Sequence, residues 1–194
     1  RAFNAKELCW EAELEGLGKI KINLLGEYAL GDVDCAVKIA IYLGMNAEEI
    51  KQGIEKIRPV QHRLQPSFAP GNILVIDDAY NGNSSGVAEA IKVLSRFGNR
   101  RKIFITPGLV ETGQAAKQVH LEIGRQLASV ADAVILIKNS VTAYIESGIM
   151  SHESGRKPQV IWFNTATEAH AALPKILKPG DVILFQNDWG DQYL

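Results

Sequence analysis

The 194-residue chain has a formal net charge of −1, and 46% of its residues are hydrophobic. It can therefore bury a good core and should be soluble and globular, as one domain or one and a fraction. The absence of a basic excess disfavours broad nucleic-acid binding, and no apolar run approaches the ~20 residues that span a bilayer. We expect neither a nucleic-acid partner nor a membrane partner.

The two cysteines, Cys9 and Cys35, are not spaced as a metal-binding or redox pair. We expect reduced thiols, far from any acidic or imidazole cluster, in a cytoplasmic protein. No His, Cys, Asp and Glu spacing suggests a metal cage either. The sequence therefore predicts no metal ligands in this chain.

The first 24 residues predict a β-hairpin around the turn at 16–18, because apolar side chains alternate on both sides of that turn. The alternating positions are Leu8, Trp10, Ala12, Leu14, Ile20, Ile22 and Leu24. An isolated hairpin is marginal in water. The chain also lacks an initiator Met, so we expect a fragment whose upstream domain is missing.

Two helices are predicted next. Apolar residues from Asp32 to Leu43 follow helical spacing and end at Gly44, and a second helix follows Asn46. The residues at 58–60 and 66–71 then interrupt the pattern. We place a domain boundary there, which divides the chain into residues 1–60 and 61–194.

The remainder alternates between strands and helices. Strands are predicted at 72–77, 102–106, 133–137, 159–163 and 181–186, and helices at 85–97, 114–130, 140–149 and 166–177. This spacing is typical of successive right-handed βαβ units. The predicted fold class is α/β, a Rossmann-like parallel sheet covered on both faces and preceded by the hairpin and two helices.

The first of these strands carries the candidate site. Its apolar run ends abruptly in Asp77 and Asp78, followed by Tyr80 and a turn that opens a helix. Open α/β sheets bind ligands at the carboxyl ends of their strands, beside the N–H groups of the next helix. We therefore expect a ligand at this edge.

The segment Asp-Asp-Ala-Tyr-Asn-Gly-Asn at 77–83, preceded by His-Arg-Leu-Gln at 62–65, resembles the opening of the C-terminal domain of the Mur ligases. The resemblance is strongest to the MurF group, which adds D-alanyl-D-alanine to a UDP-muramoyl tripeptide. These ATP-dependent enzymes form amide bonds through an acyl phosphate. The resemblance implies that residues 1–60 are the tail of the central ATPase domain and that residues 61–194 are the C-terminal domain.

The same resemblance implies the partners and cofactors. The partners would be a UDP-sugar-peptide substrate and the upstream domains of the same protein. ATP and Mg²⁺ would be held mainly by the missing central domain, while this part closes over ATP and positions the acceptor. No Walker-type Gly-x-x-x-x-Gly-Lys-Ser/Thr occurs in the chain. We therefore expect the chain alone to be inactive.

The resemblance also assigns residues. Arg63 and Asp78 take the places of a pair that holds the ATP ribose, a role that suits an acceptor-only carboxylate and a planar guanidinium. Other assignments follow family positions, with no catalytic residue among them. Nucleotide contacts are assigned to Tyr80, Asn83 and Asp32, and substrate contacts to Asn81, Glu111, Asn187 and Asp188.

Each assignment has a structural alternative. Asp77 or Asp78 can cap a helix, Arg63 can form a surface ion pair, Tyr80 can be a packed ring, and Asn83 can be an Asx-type cap. Glu111 can be a carboxylate early in the next helix. As a solitary helical histidine, His120 is predicted to be structural or solvated.

Three segments depart from the family pattern. Pro107 or Gly108 replaces a family aspartate, and residues 26–32 lack the amides that contact adenine, leaving only Asp32 to replace one of them. Gln-Asn-Asp at 186–188 replaces Lys-Gly-Ser, which exchanges a cation for an anion on the acceptor side. The acceptor is therefore predicted to differ from D-alanyl-D-alanine or to dock differently.

Two other classes of function fit parts of the sequence. One is a noncatalytic Rossmann-like binding or interaction module, which only the upstream sequence would distinguish. The other is a response-regulator receiver, whose first strand also ends in paired acids. A receiver needs a third Asp after its third strand, where this chain has Lys138, so this class is disfavoured.

Overall fold

The computed structural model describes residues 1–153, 155 and 157–186. The chain divides into two compact units, residues 1–65 and residues 66–194. Each unit has its own hydrophobic cluster.

The first unit is a three-stranded antiparallel sheet with two helices. Its elements are β1 (Ala2–Asn4), β2 (Cys9–Leu14), β3 (Gly18–Ile22), α1 (Ala29–Tyr42) and α2 (Ala47–Glu55). The predicted hairpin is confirmed as β2 and β3, with Trp10 opposite Ile22. The strand β1 was not predicted, because three residues are too few to show alternation.

One face of this small sheet supplies the core of the first unit. Trp10 and Ile22 on that face pack with the apolar stripe of α1, represented by Val33, and with Ile50 and Ile54 of α2. Asn46 caps α2 through a capping box with Glu49, in which each side chain bonds the other residue's backbone N–H. The alternation of β2 and β3 and the helical spacing of α1 and α2 therefore converge on one core.

The prediction that Cys9 lies far from acidic residues is wrong. Glu7 and Glu11 come close enough to Cys9 for one ligand atom of each of the three residues to lie within 4.8 Å of the others. Burial, followed by the nearby Glu7, raises the pKa of the Cys9 thiol. Lys21 pairs with Glu7, and Asn4 donates to Glu11 Oε1 at 2.8 Å. Both carboxylates are therefore already bonded.

The second unit is built on a six-stranded sheet of order β4-β5-β9-β6-β7-β8, and the five strands from β5 to β9 run parallel. This confirms the predicted α/β class with a mostly parallel central sheet. Its strands are β4 (Gln65–Ala69), β5 (Ile73–Asp77), β6 (Lys102–Thr106), β7 (Ala133–Ile137), β8 (Gln159–Phe163) and β9 (Val182–Phe185). Its helices are α3 (Ser84–Ser95), α4 (Ala116–Val130), α5 (Thr142–Ser151) and α6 (Ala166–Ile176).

The strand β4 was missed because Pro66 and the turn before β5 read as an interruption. Proline cannot donate to a ladder and is confined to edge strands and bulges. In the structure β4 is the edge strand beside β5. Pro66, which prevented the prediction of β4, is thus consistent with the position of β4 at the edge of the sheet.

The helices cover both faces of the sheet. The connections through α3, α4 and α5 each move in one direction along the sheet, whereas α6 leads back from β8 to β9 in its middle. Right-handed crossovers therefore place α3, α4 and α5 on one face and α6 on the other. On the α6 face, Ala169 and Leu173 pack with Ile103, Ile135 and Ile183.

The helices α4 and α5 cross in backbone contact. A Cβ added to Gly124 would lie 2.1 Å from the carbonyl oxygen of Ile145, and one added to Gly148 would lie 2.1 Å from that of Leu121. Neither position has room for any side chain. The two glycines therefore set the distance between the helices.

Among the described residues, no helix combines the length and the apolar character needed to cross a membrane.

Candidate functional site

The carboxyl end of β5 holds the two predicted carboxylates in different environments. Asp77 Oδ1 accepts the N–H of Ala79 at 3.1 Å, as a turn-forming aspartate does. The backbone N–H of Asp78 donates to Phe185 of β9 at 2.9 Å, and only 8% of Asp78 is exposed. Asp77 therefore shapes the turn, whereas Asp78 is an acid buried at the rim of the sheet.

The next residues lead into α3. Asn83 is the N-cap, since its side chain accepts the N–H of Gly86 at 2.8 Å. The Asx-type alternative is therefore realised in this structure, and a nucleotide contact would have to share that side chain. Tyr80 is 46% exposed, so its ring is not packed into the core.

A cavity of about 350 Å³ opens between the loop after β5 and the loop after β6. Its size lies within the range of small-molecule sites. Two of the predicted substrate residues, Asn81 and Glu111, line it from opposite loops. The other lining residues are Gly82, Asn83, Ser84, Val110, Thr112, Ala115 and Val119.

Glu111 does not lie in a helix, contrary to the structural alternative. It has a φ of +57°, a left-handed conformation, and a short 3-10 turn (Gly113–Ala115) separates it from α4. Left-handed backbone costs a non-glycine residue about 1–2 kcal/mol. Such strain is found preferentially at functional sites.

His120 holds the loop that carries Glu111. The side chain is completely buried, its Nε2 accepts the N–H of Leu109 at 2.9 Å, and its Nδ1 lies 2.6 Å from the carbonyl oxygen of Ala116. Because Nε2 accepts, the proton of the neutral ring belongs on Nδ1, which donates to Ala116. His120 therefore fastens the loop after β6 to α4.

Of the two predicted alternatives for His120, the structural one is confirmed. The sequence did not identify its partners, but it carried a signal of its burial. His120 shares the buried stripe of α4 with Ile123, Gly124, Leu127 and Ala128, which follow it at helical spacing. A histidine on an apolar stripe must find partners for both ring nitrogens. The nearby Gly108, with a φ of +89°, leaves space for the ring.

Gln186 directly follows β9. Its Nε2 donates to the carbonyl oxygen of Asp78 at 3.3 Å, and its backbone N–H donates to Ile105 at 2.9 Å. Its buried Oε1 has no hydrogen-bond partner within the described part of the chain. Close approach of this side chain and of Leu109 is possible because residue 82 is glycine.

The remaining predicted residues lie elsewhere. Asp32, exposed in the first turn of α1, and the half-buried Arg63 belong to the first unit. Arg63 stands between His62 and Leu64, which both have left-handed backbone, with φ values of +59° and +44°. Asn187 and Asp188 lie outside the described residues. Asp78, Tyr80, Asn81, Asn83 and Glu111 belong to the second unit.

The two roles of Asn83 can be separated. We expect Asn83→Ala to lower the free energy of unfolding by about 1 kcal/mol, because the cap on α3 is lost. Asn83→Asp, which keeps an acceptor at this position, should unfold like the wild type in urea. If Asn83→Ala were as stable as the wild type, the cap would contribute nothing to the free energy of unfolding.

The second unit has the open α/β fold, in which ligands bind at the carboxyl edge of the sheet, and its cavity lies at that edge. The family model described as "Mur ligase, glutamate ligase domain" matches residues 62–186. The chain therefore belongs to the Mur ligase family.

Curated relatives carry the name UDP-N-acetylmuramoyl-tripeptide--D-alanyl-D-alanine ligase. The one from Haemophilus influenzae is 27% identical over 148 residues, which are 75% of this chain and 32% of that protein. The one from Buchnera aphidicola is 34% identical over 116 residues, 59% of this chain and 25% of that protein. The chain spans about a third of the length of such relatives.

Solved structures show the same fold. MurF ligase from Thermotoga maritima, in complex with ADP, matches with a TM-score of 0.76 and 21% identity, over 93% of this chain and 40% of that one. A MurF from Acinetobacter baumannii matches with a TM-score of 0.76 and 24% identity, over 93% of this chain and 39% of that one.

Proposed function

We propose that this chain is the C-terminal portion of a MurF-like, ATP-dependent ligase that forms an amide bond. Family membership supports the ligase class, and the names of the relatives support the MurF type. One structural observation carries the assignment to this domain. Asp78 is buried where β5 ends, and Asn81 in the loop that follows lines one cavity together with Glu111.

In the intact enzyme, ATP would phosphorylate a substrate carboxylate. The acceptor amine would then attack the acyl phosphate and release phosphate, while ADP is the other product. We assign no nucleophile for these steps to the described residues. Their part is to orient the acceptor and exclude water, which accelerates the reaction through proximity.

Asp78 suits the ribose of ATP, because a carboxylate accepts hydrogen bonds from two hydroxyl groups. Arg63 would supply the guanidinium partner, and the left-handed residues on both sides fit a specially positioned side chain. Tyr80, Asn83 and Asp32 are the further nucleotide contacts we propose. For the acceptor we propose Asn81, Glu111, Asn187 and Asp188.

Mg²⁺ would be held mainly by the upstream domain. Magnesium prefers oxygen ligands in octahedral geometry, and the cluster of Glu7, Cys9 and Glu11 offers a thiol and two carboxylates that are already bonded. The donor would be a UDP-sugar-peptide and the cellular location the cytoplasm. We further propose that the first unit, predicted as residues 1–60, is the end of the central ATPase domain.

The proposal is tested first on this chain and then on the full-length enzyme. The chain alone should hydrolyse no ATP, because it lacks a Walker loop. In the full-length enzyme, Asp78→Ala and Arg63→Ala should each weaken apparent ATP affinity by roughly ten- to a hundredfold, the equivalent of losing a charge-assisted hydrogen bond. The measurement is the dependence of initial rate on ATP concentration.

Two exposed ion-pair residues provide matched controls. Asp34→Ala and Arg125→Ala remove the same side-chain types at surface pairs with Lys38 and Glu122, and should leave the ATP dependence unchanged. Wild-type ATP dependence in folded Asp78 and Arg63 variants would overturn the ribose assignment. ATP hydrolysis by the chain alone, with a specific activity that does not depend on the purification, would contradict the proposal that ATP turnover needs the upstream domain.

A noncatalytic binding module is the second candidate. It predicts that even the full-length protein lacks ligase turnover, so the same assay separates the two. The receiver class is disfavoured further by the structure. Counted from β5, the parallel strands have the order 1-5-2-3-4, whereas receivers have the order 2-1-3-4-5.

A further inference from the structure

The second unit has another ligand-type crevice, between the ends of β7 and β8. These strands are neighbours in the sheet, yet the chain leaves β7 toward α5 on one face and leaves β8 toward α6 on the other. Adjacent strands whose connections part in this way define a topological switch point. In open α/β sheets ligands bind in the crevice that forms there.

A cavity of about 450 Å³ lies at this switch point. Its walls come from both connections. Lys138, Asn139 and Ala143 follow β7, while Trp162 and Phe163 end β8 and Asn164 follows it. None of these six residues lines the cavity of Asn81 and Glu111. The crevice is therefore distinct from the candidate site described above.

Both walls are held in place by hydrogen bonds. On the β7 side, the N–H of Asn139 donates to Thr142 Oγ1 at 3.0 Å. On the β8 side, the N–H of Asn164 donates to Glu168 Oε2 at 3.0 Å. The N–H of Lys138 donates to the carbonyl oxygen of Phe163 at 2.8 Å and joins the two walls. The crevice is thus largely preformed, as small-molecule sites usually are.

The chemistry of the walls indicates the kind of ligand. Trp162 is 38% exposed at the crevice. Its neighbours Ile161 and Phe163 pack toward α6, so by strand alternation its ring lies on the opposite face. Lys138 is exposed and has no ion-pair partner among the described residues. The Trp162 indole and the exposed Lys138 side chain therefore border the same space.

We propose that this crevice binds a small anion that carries a flat ring. The ring would stack on Trp162, the charged group would meet the Lys138 ammonium, and the Asn164 side chain would supply an amide for a further hydrogen bond. Two sources share this chemistry, nucleoside monophosphates and aromatic carboxylates. This inference does not depend on the ligase assignment, because it concerns binding to the chain itself.

The test is a titration of the isotope-labelled 194-residue chain, followed by NMR at the indole N–H of Trp162. The probes are cytidine monophosphate with cytidine as its neutral counterpart, and benzoate with benzamide. At least one anion should give a saturable shift, with its neutral counterpart at least about tenfold weaker. Whichever anion binds more tightly identifies the source.

Variants assign the binding to the crevice. Lys138→Met should weaken the anion about tenfold, whereas Lys175→Met, at an exposed lysine of α6, should not. Trp162→Ala should weaken binding by a similar factor, and Trp162→Phe, which keeps a ring and the fold, should retain most of it. Because the two Trp162 variants lack the indole N–H, their binding is measured by isothermal titration calorimetry.

Three results would overturn the proposal. The first is the absence of any shift at Trp162 with both anions at about 10 mM. The second is equal affinity for an anion and its neutral counterpart. The third is binding that Lys138→Met leaves unchanged.

Discussion

Gly124→Ala should destabilise the second unit by about 3 kcal/mol, at the upper end of the range for overpacking. The new methyl group would lie 2.1 Å from the carbonyl oxygen of Ile145, and a backbone atom of α5 cannot turn aside as a side chain can. The helix propensity of alanine offsets only about 1 kcal/mol of this cost. In Gly148→Ala the added methyl group would meet the carbonyl oxygen of Leu121, so this variant should lose a similar amount of stability. Urea denaturation measures both.

Gly86→Ala is the matched control in the same unit. It also lies in a helix, and its added Cβ would come no closer than 3.4 Å to Asn83 Oδ1, an ordinary contact. Its stability should equal or slightly exceed that of the wild type. If Gly124→Ala were as stable as this control, α4 and α5 would have to be able to separate without cost.

His120→Ala should cost about 3–4 kcal/mol, because it leaves a cavity and strands the buried N–H of Leu109 without an acceptor. A finer pair of variants separates the two ring nitrogens. Gln can place an acceptor near the position of Nε2, whereas Asn can place a donor near that of Nδ1. His120→Gln should therefore keep the loop after β6 in place, and His120→Asn should loosen it.

Amide hydrogen exchange of Leu109 measures this difference. Exchange should be slow in the wild type and in His120→Gln, and at least about tenfold faster in His120→Asn. In the full-length enzyme the same order should appear in the KM for the acceptor, because Glu111, the acceptor contact that we propose, lies on this loop. Identical exchange rates in the two variants would show that the hydrogen bond from the Leu109 N–H to residue 120 does not hold the loop.

The secondary structure of the second unit could be predicted well from the sequence, for physical reasons. A strand buried on both faces, such as β7, is a continuous apolar run, and the helices between strands are long enough to show their period. Across the two units, the elements that were not predicted are two strands whose own sequences are short or irregular. The strand β1 has three residues, and β4 contains Pro66, so neither produces the alternation by which strands are recognised.

The candidate site could be predicted only in part. Asp77 and Asp78 stand at the end of an apolar strand, and that pattern alone places them at the sheet edge. It could not distinguish the turn-forming Asp77 from the buried Asp78. Nor could it join Asn81 to Glu111 across one cavity, because that depends on the order of strands in space. The roles of His120 and Gln186 depend on partners distant in sequence for the same reason.

The position of β9 has a consequence for how the protein is made. It is the last strand in the order of the described chain, yet it lies between β5 and β6, which precede it by about 80 to 110 residues. Until β9 is inserted, both of those strands present open edges in the middle of the future sheet, where another chain could pair with them. A ribosome must therefore release nearly the whole unit before its sheet can close. Such late, long-range pairing slows folding and prolongs exposure to aggregation.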